Sequence, residues 1–136
     1  MRISFLLLAV LCATALLAQK AEKALETLYK RYPQEKVVLS FSKTEYASGE
    51  TILFKAYVLT GYELTKLSTN LYTELYDKNK NLLSKQIVPL FNGAGDGGFS
   101  LPASLPEDVY YIRAYTHWML NFAERFQYIK PVLVYN

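Results

Sequence analysis

The chain has little of the chemistry that most enzymes and metal sites need. Its 136 residues include one cysteine, Cys12, and one histidine, His117. A zinc site takes several Cys, His or carboxylate ligands, which this pair does not supply. No Gly-x-Ser-x-Gly motif places a nucleophilic serine for His117 to activate. These absences argue against an enzyme and against any catalytic, metal-binding or cofactor-binding residue.

Long runs of one charge are also missing. The 15 Lys and Arg residues are interspersed with 12 Asp and Glu residues, for a net charge of +3. Proteins that bind nucleic acid usually carry a basic patch or stripe that neutralises phosphates. We therefore expect no nucleic-acid partner.

One glycine-rich run imitates a nucleotide-binding motif. Residues 93–98, Gly-Ala-Gly-Asp-Gly-Gly, have the glycine spacing of a dinucleotide fingerprint. That fingerprint needs a helix directly afterwards, because the free N–H groups of the helix start hold the phosphates. Here Phe99-Ser100-Leu101-Pro102 follows, and Asp96 alone is too little for a calcium loop. We predict a flexible hairpin turn and no cofactor.

Residues 1–18 have the pattern of a secretory signal peptide. Arg2 gives a positive start, a nearly unbroken apolar run follows, and small residues end it. Cleavage fits after Ala15 or after Ala18, and the polar sequence that begins after Ala18 favours the latter. The alternative is an uncleaved anchor, but the apolar run is shorter than the ~20 residues of a spanning helix.

Removal of this segment would also remove Cys12. The preceding Leu11 is not the small residue that lipid attachment at a cysteine requires. The exported chain would then contain no cysteine, so it could form no disulfide and its core alone would stabilise it.

A short amphipathic helix is predicted over residues 20–32, within a lead-in that spans 19–34. Its apolar residues recur at helical spacing, and Pro33 ends it. We expect it to pack on the domain or on a neighbouring protein. A helix lying on a membrane surface is the alternative.

Residues 35–136 have the pattern of a single all-β domain. Apolar and polar residues alternate in short runs separated by turn signals. This predicts a seven-stranded immunoglobulin- or fibronectin-III-like β-sandwich. The predicted strands cover 37–42, 52–59, 70–76, 82–90, 99–101, 109–116 and 127–135.

Two of these strands place aromatic and cationic side chains on their outer faces. Strand 52–59 directs Ile52, Phe54, Ala56 and Val58 to the core, and strand 109–116 directs Tyr110, Ile112 and Ala114 there. Cation–π contacts could form on the outer faces, although ordinary cross-strand packing is the simpler interpretation. The candidate binding residues there are Lys55, Tyr57, Tyr111, Arg113 and Tyr115.

The segment between the last two strands is apolar. The simplest interpretation is a loop or helical turn that plugs one end of the sandwich. If its aromatic and Met side chains are exposed, they form a second candidate partner site, because such residues anchor interfaces. The residues concerned are Trp118, Met119 and Phe122.

Three stretches together resemble the macroglobulin-like MG2 domain. They are 32–37 (Tyr-Pro-Gln-Glu-Lys-Val), 46–57 (Tyr-Ala-Ser-Gly-Glu-Thr-Ile-Leu-Phe-Lys-Ala-Tyr) and 111–119 (Tyr-Ile-Arg-Ala-Tyr-Thr-His-Trp-Met). The resemblance covers about residues 32–136 and is strongest to exported Bacteroidetes proteins, in which the domain precedes TonB-receptor plug-like regions. It implies a fibronectin-like sandwich in the cell envelope, either periplasmic or associated with the outer membrane or cell exterior.

The resemblance does not extend to protease trapping, since the chain has no bait region and no Cys-Gly-Glu-Gln thioester. We therefore expect a non-catalytic exported module for protein–protein contact or scaffolding, with a protein partner, as the front end of a larger TonB-plug-type protein. Association with the outer membrane would come through that larger assembly. The alternatives are an endopeptidase-inhibitor-related component and a sandwich that binds a glycan or a peptide.

Overall fold

The computed structural model describes residues 18–136, which fall into two compact units divided between Gln34 and Glu35. Nearly all of the predicted signal peptide lies outside the described residues. In the first unit, residues 18–31 form a helix, α1, close to the predicted 20–32. An ion pair of 2.6 Å between Glu26 and Lys30 joins successive turns. Over residues 18–136, no helix is long and apolar enough to cross a membrane.

The second unit, Glu35–Asn136, is an all-β sandwich, which confirms the predicted fold class. Within the described part of the chain there are nine strands instead of seven, because β2 and β4 are too short to show an alternating pattern. The strands are β1 (Glu35–Phe41), β2 (Glu45–Ala47), β3 (Thr51–Thr60), β4 (Glu63–Leu64), β5 (Asn70–Tyr76), β6 (Leu82–Pro89), β7 (Ala94–Ser100), β8 (Asp108–Thr116) and β9 (Tyr128–Tyr135).

The strands form two sheets. In the first sheet β3 is central and pairs antiparallel with β1 on one side and with β7 and β4 on the other. The second sheet has the order β2-β9-β8-β5-β6, and all its pairs are antiparallel except β2 with β9. The central position of β5 and β8 puts their outward side chains in the middle of that sheet's outer face.

The core lies between the sheets and is built from the alternating inner residues. The predicted core positions in β3 and β8 are confirmed, with Phe54 at 4% exposed and Ile52 and Ile112 at 0%. Burying one such side chain contributes roughly 1.5–3 kcal/mol to folding. The sandwich is therefore stabilised by its apolar interior.

The prediction of a flexible turn at residues 93–98 is wrong beyond its first residue. Residues from Ala94 onward form β7, which pairs with β3 along its whole length. Its glycines serve packing, because a Cβ on Gly97 would lie 2.5 Å from Cζ of Phe54. The actual turn precedes the strand, where Asn92 and Gly93 have φ angles of 49° and 77°.

Candidate functional site

A buried carboxylate occupies the centre of the second sheet's outer face. Glu74 in β5 lies directly across from Lys85 of β6 and Arg113 of β8. Its side chain is 5% exposed, with Oε1 3.0 Å from Lys85 Nζ and Oε2 3.4 Å from Arg113 Nη1. Strand register alone therefore places one anion between two cations.

Two tyrosines complete the shell around this carboxylate. Tyr76 and Tyr115 donate hydroxyl hydrogen bonds to Glu74 over 2.7 and 2.8 Å. Burial by itself would raise the pKa of Glu74, but the hydrogen bonds from Tyr76, Lys85 and Tyr115 outweigh it and hold the pKa below its usual range. Glu74 is therefore ionised at neutral pH.

Aromatic rings also contact the two cations, Arg113 and Lys85. Arg113 Cζ lies 4.8 Å from the centroid of the Tyr115 ring, the kind of cation–π contact considered from the sequence. The Tyr72 and Tyr115 rings stack at 5.6 Å, and Lys85 Nζ lies 5.7 Å from the Tyr72 centroid. We call these six residues the Glu74 network: Tyr72, Glu74, Tyr76, Lys85, Arg113 and Tyr115.

A groove of about 420 Å³ opens beside the network. Arg113 belongs to both, since its Nε donates to Gln127 Oε1 over 2.6 Å and its Nη2 lies 3.6 Å from Glu124. Apolar surface is available too, because Tyr111 is 38% and Ile129 61% exposed. This Arg113 groove is lined by Tyr76, Asp77, Lys78, Lys80, Tyr111, Arg113, Glu124, Gln127 and Ile129.

The outer-face residues predicted from the sequence do not form one surface. Tyr111, Arg113 and Tyr115 lie on the second sheet, and of these Tyr115 is only 8% exposed. Lys55 and Tyr57 lie on β3 in the first sheet, across the core from them. Only Tyr111 and Arg113 come together at a groove.

The apolar segment after β8 forms a 3-10 helix, Trp118–Asn121. Met119 is 1% exposed and belongs to the core, so it offers no surface to a partner and is removed from the candidate site. Its backbone N–H donates to Thr116 Oγ1 over 3.2 Å. Trp118 and Phe122 are half-buried and meet edge to face at 6.1 Å, as in the plugging loop that the sequence favoured.

Sequence reasoning missed the acidic centre of this site. Glu74 sits in Tyr72-Thr-Glu-Leu-Tyr76, so the alternating pattern does place it on the tyrosine face. Its cationic partners are set by pairing with β6 and β8, which no local pattern reveals. In the described part of the chain, no three His, Cys, Asp or Glu side chains are grouped to hold a metal ion.

Comparison with known proteins gives a structural match only. No family model matches the chain, and no curated protein matches it by sequence. It is similar to Salmonella alpha-2-macroglobulin reacted with methylamine, at 14% identity and TM-score 0.63, over 75% of this chain and 6% of that one. The native conformation of E. coli alpha-2-macroglobulin gives 13% identity and TM-score 0.64, over 77% and 6%.

These matches define the class of fold. At such low identity they show a similarity of fold alone: 75–77% of this chain folds like a part of these alpha-2-macroglobulins, in agreement with the β-sandwich that the sequence resemblance implied. The chain spans about 6% of the length of these two proteins. The matched region is therefore one small part of each.

Proposed function

We propose that this chain is an exported, non-catalytic macroglobulin-like module that binds a protein partner and acts as a scaffold in the cell envelope. The observation that carries the proposal is the outer face of the second sheet, where the ordered Glu74 network borders an open groove. The lining of that groove includes no Ser, Cys or His. It offers charged and apolar contacts but no Ser-His or Cys-His pair of the kind that activates a nucleophile.

The fold comparison supports a role inside a larger assembly. The similar proteins are much longer, and the matched region is one small part of them. The signal-peptide pattern of residues 1–18 supports export. We propose the front end of a TonB-plug-type protein as the specific setting.

In-cell photo-crosslinking tests this proposal. A photoreactive amino acid is placed at Tyr111 on the second sheet or, separately, at Tyr57 on the first, and envelope fractions are analysed. We expect a discrete crosslinked protein from Tyr111. Cytoplasmic retention, or no discrete product from either position, would contradict the proposal, as would a hydrolase activity that His117→Ala abolishes.

A second candidate is a component related to endopeptidase inhibition. Only the similarity of fold favours it. One such similar structure is trypsin-activated alpha-2-macroglobulin from E. coli, with 14% identity and a TM-score of 0.62. Incubation of the purified chain with a panel of proteases tests it. Inhibition or a stable complex would support this candidate, and the absence of both would remove it.

A further inference from the structure

We propose that the Arg113 groove binds an acidic segment of a partner protein. In this arrangement a Glu or Asp carboxylate of the partner contacts Arg113 and Lys80, and a neighbouring apolar side chain covers Ile129 and Tyr111. The inference rests on the proposed function and deepens it, because it names the site and the chemistry of the partner.

Arg113 is held in place before any ligand arrives. Its Nε is bonded to Gln127, and its Nη1 is paired with Glu74, while the Tyr115 ring lies beneath the guanidinium. Because Nε is a donor, the side-chain oxygen of Gln127 must face it. The Nη2 end is the least committed part of the guanidinium and remains available to an incoming acceptor.

Glu124 shows that a carboxylate fits at this end. It begins the short 3-10 helix Glu124–Phe126, and its Oε1 lies 3.6 Å from Arg113 Nη2. That separation is too long for a good hydrogen bond, and the side chain is 87% exposed. So weak a contact is easily displaced, and Glu124 occupies the position that the partner's carboxylate would take.

Lys80 supplies a second, unpaired cation. Its side chain has no hydrogen bond or ion pair anywhere in residues 18–136. By contrast, Lys78 is held by Asp108 at 2.6 Å, and the Asp77 carboxylate accepts two backbone N–H bonds and one from the Asn81 side chain. The polar groups of the groove that lack a close partner are therefore mainly hydrogen-bond donors, which complement a carboxylate.

The apolar surface lies beside the cation. Ile129 of β9 pairs directly with Arg113, so the two side chains project next to each other. In an extended peptide, residues i and i+2 share a face, so an acidic residue and an apolar one at that spacing can contact both. A neutral sugar would cover Arg113 and Lys80 without offering an anion, which makes the acidic peptide the better occupant.

Fluorescence anisotropy with the purified chain tests the assignment. The probe is a labelled, end-blocked eight-residue peptide in which Glu and Leu alternate at i and i+2, and the matched control has Gln for Glu. We expect the Glu peptide to bind with a Kd below about 100 μM and the Gln peptide to bind about tenfold more weakly. Neutral and uronic oligosaccharides form the other arms.

Variants locate the binding. Lys80→Gln should weaken binding about threefold and Arg113→Gln about tenfold or more. Glu124→Gln, which removes the internal competitor, should tighten it about twofold. Lys55→Gln on the first sheet is the matched control and should change nothing. Arg113→Gln is checked for thermal unfolding, whereas Lys80 is exposed and makes no contact that the fold needs.

Equal binding of the Gln peptide, indifference to Lys80→Gln, or selective binding of an oligosaccharide would overturn the inference. Failure here is distinguishable from failure of the proposed function. A discrete crosslinked partner from Tyr57, together with no peptide binding at the groove, would keep the module's role and discard this site.

Discussion

Thr116 donates a hydroxyl hydrogen bond to the buried carboxylate of Glu35, 81 positions earlier in the chain. Glu35 begins β1 in the first sheet and Thr116 ends β8 in the second, so this bond ties the two sheets together. Glu35 also accepts from Thr65 and from Ser68, the latter over 2.7 Å. Within residues 18–136 it has no ion-pair partner, so hydroxyls alone satisfy it.

Removing this acceptor should destabilise the sandwich. Glu35→Ala leaves the hydroxyls of Thr65 and Thr116 buried without their acceptor, since these residues are 1% and 0% exposed. We expect the free energy of unfolding to fall by about 2–4 kcal/mol, measured by urea denaturation. Glu63→Ala, at an exposed position in β4, is the control and should change it by less than about 0.5 kcal/mol. Equal effects of the two variants would show that the hydroxyl cluster contributes nothing.

A second stability test uses a pair of buried threonines. Thr73 Oγ1 is the one buried side-chain N or O atom that lacks a partner in the described part of the chain. Thr73→Val should therefore raise the free energy of unfolding by up to about 1 kcal/mol. Thr116→Val is the matched comparison and should lower it, because the Thr116 hydroxyl is bonded to Glu35. A loss of stability in both variants would contradict the reasoning for Thr73.

The Glu74 network should make folding sensitive to acid. The pKa of Glu74 is lowered in the folded state, even though burial opposes this, because Tyr76, Lys85 and Tyr115 bond its carboxylate. The stability it contributes is therefore complete above the unfolded pKa of about 4.3 and is lost as the pH falls through the lower folded value. Chemical denaturation between pH 7 and pH 2 should show this loss.

Two substitutions isolate the contribution of the ionised Glu74 carboxylate to the free energy of unfolding. Glu74→Gln should be less stable than the wild type at pH 7, and the difference should shrink as the pH falls. Tyr76→Phe removes one of the hydroxyl groups that donate to the ionised Glu74 carboxylate. The folded-state pKa of Glu74 should therefore rise, and the acid transition should move to higher pH. An unchanged pH profile in Glu74→Gln would refute the linkage.

The glycine at position 97 should not tolerate a side chain. A Cβ there would meet the Phe54 ring at 2.5 and 2.7 Å and Val88 at 2.8 Å. Gly97→Ala should cost about 1–3 kcal/mol by overpacking, read from thermal or urea unfolding. Gly61→Ala separates strain from crowding, since nothing lies within 4 Å of the added Cβ but the φ of +64° strains the backbone. Its cost, from backbone strain alone, should be about 1–2 kcal/mol.

The alternation of apolar and polar residues predicted the features that depend on local strand geometry. Strict alternation identified β3 and β8 and their core residues, such as Phe54 and Ile112, because side-chain direction follows from strand geometry. The exposure of Met119 and the pairing of Glu74 with Arg113 depend on how distant segments meet. Strands as short as β2 and β4 give no periodic signal, and the glycine-rich composition of β7 favours a turn over a strand.

Those glycines have a consequence for mutational data. Substitution at Gly95, Gly97 or Gly98 brings a Cβ within 2.5–2.7 Å of a neighbouring backbone oxygen or ring atom. Gly93 would be intolerant too, since its φ is +77° and an added Cβ would lie 2.9 Å from Thr65 N. A saturation scan would therefore mark a block of intolerant glycines with the spacing of a dinucleotide-binding loop. The block would report how closely β7 approaches its neighbours, and intolerance there would be no sign of a nucleotide.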